Sequence, residues 1–133
     1  GIARITHPLL LVTGDLALLH DINGCLIEDF LDVNLTILLI DNGGGNIFNK
    51  LYKENFDVEE INKLFVIPKK INWERMAETY NIPYRNEYVS SELKDCFEWS
   101  LSIPGPTIIK VNIDKDYEQH QRRLIFNSIY KNT

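Results

Sequence analysis

Two short polar stretches, Gly14-Asp15 and Asn42-Gly43-Gly44-Gly45, each follow an apolar run, and Asn42 lies 27 positions after Asp15. A carboxylate, a carboxamide oxygen and a backbone carbonyl from a glycine loop make an all-oxygen donor set. Such hard donors suit Mg²⁺, which takes an octahedron of oxygens and usually completes it with phosphate oxygens and water. The glycines add a second property, because without a Cβ they reach positive φ and can turn carbonyls or amides toward a ligand. Charge points the same way. From Gly14 to Asn49 the acidic residues are Asp15, Asp21, Glu28, Asp29, Asp32 and Asp41, with no Lys or Arg among them. An anion held by the glycine loop would meet those carboxylates unless a cation stood between. A metal bridging Asp15 and Asn42 to a diphosphate removes the conflict. Taken alone, Asp15 reads equally well as a helix cap. The glycine triplet is neither a dinucleotide fingerprint nor a P-loop, since it lacks both Gly-x-Gly-x-x-Gly and a following Gly-Lys-Ser/Thr.

These groups need elements that bring them together. Leu9-Leu10-Leu11-Val12-Thr13 and Leu35-Thr36-Ile37-Leu38-Leu39-Ile40 are short, apolar and bounded by Pro8, Gly14 and the Asp41-Asn42-Gly43 turn. Both predict strands buried on both faces. Between them Leu18, Leu19, Ile22, Leu26, Ile27 and Phe30 recur at helical spacing, which predicts a helix from Leu16 to Phe30 that is irregular near Asn23-Gly24. Two buried strands joined by a helix form a parallel, right-handed βαβ unit, and ligands sit just beyond the carboxyl ends of such strands. Further on, Asn46 to Lys53 predicts a short helix and Glu54 to Lys70 a long connection. Asn72 caps a helix from Trp73 to Tyr80 with Met76, Ala77 and Tyr80 inward. Tyr84 to Val89 predicts a strand, Ser91 opens a helix carrying Leu93, Phe97 and Leu101, and Thr107 to Ile113 predicts a third buried strand. Asp116 and Gln119 form a capping pair for a last helix, Tyr117 to Tyr130. The alternation predicts an α/β fold, a three-layer doubly wound and mostly parallel sheet.

Composition narrows the partners. The chain has 133 residues, 44% of them apolar and 25% charged, the mix of one globular domain able to bury its own core. A net charge of -5 without a basic block argues against a nucleic-acid groove or an anionic membrane surface. No stretch approaches the apolar length of a membrane span. Cys25 and Cys96 stand far apart in no metal or redox spacing, as in a reducing, cytosol-like compartment.

The Gly14-Asp15-Leu16 run, the spacing to Asn42 and the glycine loop resemble the diphosphate-binding domain of thiamine-diphosphate-dependent enzymes. The runs His20-Asp21-Ile22-Asn23-Gly24 and Gly44-Gly45-Asn46-Ile47-Phe48 are similar to one branch, the synthases of menaquinone and phylloquinone biosynthesis. The resemblance covers nearly the whole chain, residues 1–133, more weakly after Phe65, and corresponds to the carboxy-terminal domain of a longer enzyme. It implies a transferase that decarboxylates 2-oxoglutarate and joins the resulting unit to isochorismate, in the cytoplasm or a plastid stroma. It implies thiamine diphosphate and Mg²⁺, with Mn²⁺ a possible substitute, the metal held by Asp15, Asn42 and the carbonyl of Gly44. Gly14, Leu16, Ala17, Gly45 and Ile47 would complete the cofactor site, with amides of Leu16 and Ala17 on the diphosphate. Ile47, Phe48 and Leu51 would wall the substrate. No catalytic residue is implied within the segment. His20 is a weak candidate, since a histidine on a half-buried helix is more often structural. The resemblance further implies a homodimer or homotetramer in which the amino-terminal pyrimidine-binding domain of a neighbouring subunit completes the site. The chain departs from the usual pattern at Asp41 and Gly43, where Asn or Asp are common, at Tyr52, where Pro is common, and at Val66-Ile67-Pro68-Lys69 in place of Gly-Thr-Pro-His. The alternatives are another carboligase or decarboxylase of the superfamily, such as an acetolactate-synthase relative, and a non-catalytic α/β binding module.

Overall fold

Branched apolar residues dominate Leu35–Asp41, and this strand, β2, lies inside the sheet, with Leu39 fully buried. The computed structural model describes residues 8–26, 33–44, 71–87 and 92–113, with the helical residues Tyr117, His120, Gln121 and Leu124. Along the chain run β1 (Leu9–Gly14), α1 (Asp15–Asp21), a 3-10 turn (Ile22–Leu26), β2, α2 (Trp73–Thr79), β3 (Tyr84–Glu87), α3 (Leu93–Leu101) and β4 (Pro106–Asn112). The strands form one parallel sheet in the order β1-β2-β4-β3. The return from β3 to β4 runs opposite to the step from β1 to β2, so right-handed crossovers put α1 and α3 on opposite faces.

Packing follows that topology. On one face Leu35, Ile37, Leu39 and Ile108 share a core with Leu18 and Ile22 and with Trp73 and Ala77 of α2. On the other, Thr36 and Thr107 are register partners, and both hydroxyls meet Ser100 of α3, the Thr107 contact measuring 2.5 Å. The domain therefore has three layers, as its pattern predicts. Asn72 caps α2 as expected, its side chain accepting the Arg75 N–H at 3.0 Å. Ala77 is buried, with Met76 and Tyr80 packed beside it.

Two expectations need correction, for β1 and for α3. β1 is not buried on both faces: it pairs with β2 alone among the described residues, and Leu10 and Val12 are 49% and 58% exposed. A continuous apolar run marks a strand fit for burial but does not say whether it stands at an edge. The first helix is irregular where expected, since α-helical geometry ends at Asp21 and gives way to the 3-10 turn across Asn23-Gly24. Its expected continuation to Phe30 falls outside the described residues. In α3 the buried positions are Cys96 and Ser100, one residue before the predicted Phe97 and Leu101, and Leu101 is exposed. Ser100 sits inside because two threonine hydroxyls satisfy its own. The expected short helix over 46–53, the connection over 54–70 and the Asp116 capping pair lie outside the described residues, as does most of the expected last helix.

Candidate cofactor site

Gly14 pairs with Ile40 in the register of β1 with β2. The residues that follow, Asp15 after β1 and Asp41-Asn42 at the end of β2, therefore emerge together at the carboxyl edge of the sheet. Helix α1 begins at once, with Gly14 as its N-cap and no side-chain cap bond. Asp15 is thus the first helical residue and not the cap. Its carboxylate is buried, with Oδ1 accepting the Leu16 N–H at 2.7 Å and Oδ2 accepting the Gly44 N–H at 2.6 Å. The Gly44 contact ties the two polar stretches directly to each other.

The turn that delivers Gly44 needs its glycines. Gly43 and Gly44 have φ of 75° and 96°, a region costly for residues with a Cβ. Asp41 anchors this turn: its Oδ1 accepts the Gly43 N–H at 2.9 Å. Its Oδ2 accepts from Trp73 Nε1 at 3.1 Å and from Lys110 Nζ at 3.0 Å. Burial pushes the Asp41 carboxyl up, but the Gly43 amide, the Lys110 ammonium and the Trp73 indole outweigh it and hold the group below the usual carboxylate range. Trp73 and Lys110 escape a reading of the sequence because each belongs to another element of the fold. Lys110 leaves one trace, as the one charged residue in the strand Pro106–Asn112. A cleft of about 620 Å³ opens beside them, lined by Trp73, Tyr84, Asn86 and Lys110 among others.

The residues present fit a diphosphate-bound metal. Asp15 keeps lone pairs beyond its two amide bonds, and Asn42, half-buried and itself engaged, offers an Oδ1 that is buried and receives no hydrogen bond. Among the described residues no three His, Cys, Asp or Glu side chains cluster as a metal cage. One carboxylate with amide and carbonyl oxygens is a poor site for a bare cation and a suitable one for Mg²⁺ carrying phosphate oxygens.

The other expected residues divide in two. Gly14 lies in open space, with nothing within 4 Å of where a Cβ would stand, and Ala17 is exposed. The Leu16 amide already serves Asp15, so a diphosphate there would compete for it or rely on Ala17. His20 is exposed in the last turn of α1, about 7.5 Å along the helix from Asp15. Gly45, Ile47, Phe48 and Leu51 lie outside the described residues. No helix among the described residues is long and apolar enough to cross a membrane.

No protein-family model matches the chain. Curated proteins do. The chain is 57% identical over 132 residues to the 2-succinyl-5-enolpyruvyl-6-hydroxy-3-cyclohexene-1-carboxylate synthase of Prochlorococcus marinus (strain MIT 9515), matching 99% of this chain and 22% of that protein. It is 40% identical over 123 residues to the synthase of the same name from Synechococcus sp. (strain CC9902), matching 92% of this chain and 22% of that protein. Among solved structures it superposes on an enzyme from Mycobacterium smegmatis described as thiamin diphosphate-dependent, with a TM-score of 0.62 and 12% identity, over 84% of this chain and 19% of that one. The chain spans about a fifth of the length of the relatives it matches. It is homologous to one segment of these synthases, and its fold is the α/β fold of thiamine-diphosphate-binding enzymes.

Proposed function

We propose that this chain is the carboxy-terminal diphosphate- and Mg²⁺-binding segment of a 2-succinyl-5-enolpyruvyl-6-hydroxy-3-cyclohexene-1-carboxylate synthase. The observation that carries the reading is the meeting of Asp15 with Gly44 at the carboxyl edge of two adjacent strands, in a chain 57% identical to a synthase of that name. Asp15, Asn42 and the Gly44 carbonyl are the proposed metal ligands, with Gly14, Leu16, Ala17, Gly45 and Ile47 around the cofactor. When bound, thiamine diphosphate supplies the carbon–carbon bond chemistry, the decarboxylation of 2-oxoglutarate and transfer to isochorismate. The segment's own task is positional. Asp15 fixes negative charge where the metal is needed, the Gly43-Gly44 turn gives close access without a Cβ, and the start of α1 presents amides to an anion.

No catalytic acid or base is assigned to the segment, and Ile47, Phe48 and Leu51 are proposed as apolar wall toward the substrate. The remaining machinery, including the pyrimidine-side domain, is assigned to the rest of a homodimer or homotetramer. The test is carbon dioxide release from 2-oxoglutarate, with and without isochorismate, by the full-length protein and by these 133 residues alone. Turnover with isochorismate is expected from the full-length protein only. Absence of any 2-oxoglutarate or isochorismate turnover in the full-length protein with Mg²⁺ and thiamine diphosphate present would overturn the reading.

A further inference from the structure

Asp41 is one of the residues at which the chain departs from the resembled motif, and both of its carboxylate oxygens are engaged beside the site. Its two carboxylate oxygens do different jobs. Oδ1 closes a local turn by accepting the amide of Gly43, two residues on, at 2.9 Å. Oδ2 reaches away from the turn to the indole of Trp73 on α2 and the ammonium of Lys110 on β4. The Asp41 and Lys110 side chains are 17% and 14% exposed, so the pair is shielded well enough to hold one geometry. The amide after the one Asp41 takes, that of Gly44, is the one that reaches Asp15 Oδ2 at 2.6 Å. Two consecutive amides, on glycines that both sit at positive φ, are therefore fixed by two carboxylates, Asp41 at the end of β2 and Asp15 at the start of α1.

We propose that Asp41 is a positioning residue for the cofactor: through its bond to Gly43 it sets the turn that places Asn42 and Gly44 against Asp15, and Trp73 and Lys110 serve to aim the Asp41 carboxylate. The proposal rests on the reading of that turn as part of a Mg²⁺–thiamine diphosphate site. The geometry makes it specific. A two-residue turn closed by a side chain needs the short arm of Asp or Asn, since one more methylene carries the oxygen past the amide. The contact with Lys110 makes the opposite demand, a carboxylate charge, for which Glu serves and Asn does not.

The two demands separate in three variants of the full-length protein, each read by the dissociation constant for Mg²⁺ at saturating thiamine diphosphate and by the melting temperature of the cofactor-free protein. Positioning through Gly43 predicts that Asp41→Asn binds Mg²⁺ within about threefold of wild type, while Asp41→Glu and Asp41→Ala bind at least about tenfold more weakly. The melting temperature follows a different order, because Asn and Ala lose the Lys110 pair and Glu keeps it. If Asp41→Glu binds as wild type does and Asp41→Asn as weakly as Asp41→Ala, Asp41 is only a charge anchor and the proposal is overturned. Should Asp41→Ala not fold, the contrast between Asn and Glu decides alone. Unchanged binding in all variants beside a wild type that binds overturns this inference and spares the cofactor reading. A wild type that binds no Mg²⁺–thiamine diphosphate overturns both.

Discussion

The carboxylate of Asp15 accepts the backbone amide of Gly44 across 2.6 Å, joining residues 29 positions apart at the carboxyl ends of β1 and β2. The bond is charge-assisted and buried, which places it among the stronger hydrogen bonds of the domain. It also fixes which way the glycine turn faces.

Replacing Asp15 by Ala removes the side chain that ties the two polar stretches together at this point and leaves the Gly44 amide without its acceptor. The expected result is loss of Mg²⁺-dependent thiamine diphosphate binding in a protein that stays folded, because Asp15 stands at a strand end and outside the apolar core. Calorimetric titration of the full-length variant checks this; unchanged affinity would remove Asp15 from the metal site.

Gly44 holds φ at 96°, whereas Gly14 has an ordinary φ of -85° and open space around it. Gly44→Val is therefore expected to cost about 1–3 kcal/mol in backbone strain and to weaken cofactor binding. Gly14→Ala should be close to neutral for folding. Gly43→Ala is no mild control, since Gly43 also sits at positive φ. Denaturant unfolding of the three variants, with cofactor titration alongside, separates these cases.

Burial pushes the Cys25 thiol up, and Cys96 is only 1% exposed. Native protein should thus react with thiol reagents more slowly than denatured protein near pH 8, where the thiolate is the attacking species. A raised folded-state pKa means that the native state keeps a proton the unfolded chain releases. Stability should then fall as pH rises above about 8.5, and the Cys25→Ala variant should lose less on the alkaline side.

Ser100 joins Thr36 and Thr107 in a buried hydroxyl chain between α3 and the sheet. Ser100→Ala leaves two threonine hydroxyls without their shared partner and is expected to destabilise the domain by about 1–3 kcal/mol. Adding Thr36→Val and Thr107→Val should recover part of that loss, because no polar group is then stranded. Urea unfolding of the single and triple variants measures both effects. A triple variant less stable than Ser100→Ala would show that the hydroxyls matter for more than their own satisfaction.

What the sequence determined by itself was local pattern and chemical type. The apolar runs at Leu9 and Leu35, the helical spacing between them and the glycine loop after Asn42 sufficed for a parallel βαβ unit with an oxygen-rich edge, because strand, helix and turn preferences are set by neighbouring residues. The Asn72 cap and the irregularity at Asn23-Gly24 were legible for the same reason. Tertiary structure decided everything that depends on which elements become neighbours. Only the register of β1 with β2 shows that Asp15 binds Gly44 and leaves the capping position to Gly14. Only strand order leaves β1 with β2 as its single partner among the described residues, its apolar side chains exposed. Only the packing of α2 and β4 brings Trp73 and Lys110 onto Asp41, which gives an acid-only stretch of sequence a cation in space. Hydrogen bonds and ion pairs act over a few ångströms, and a linear pattern holds no record of which distant residues the fold will bring within that reach.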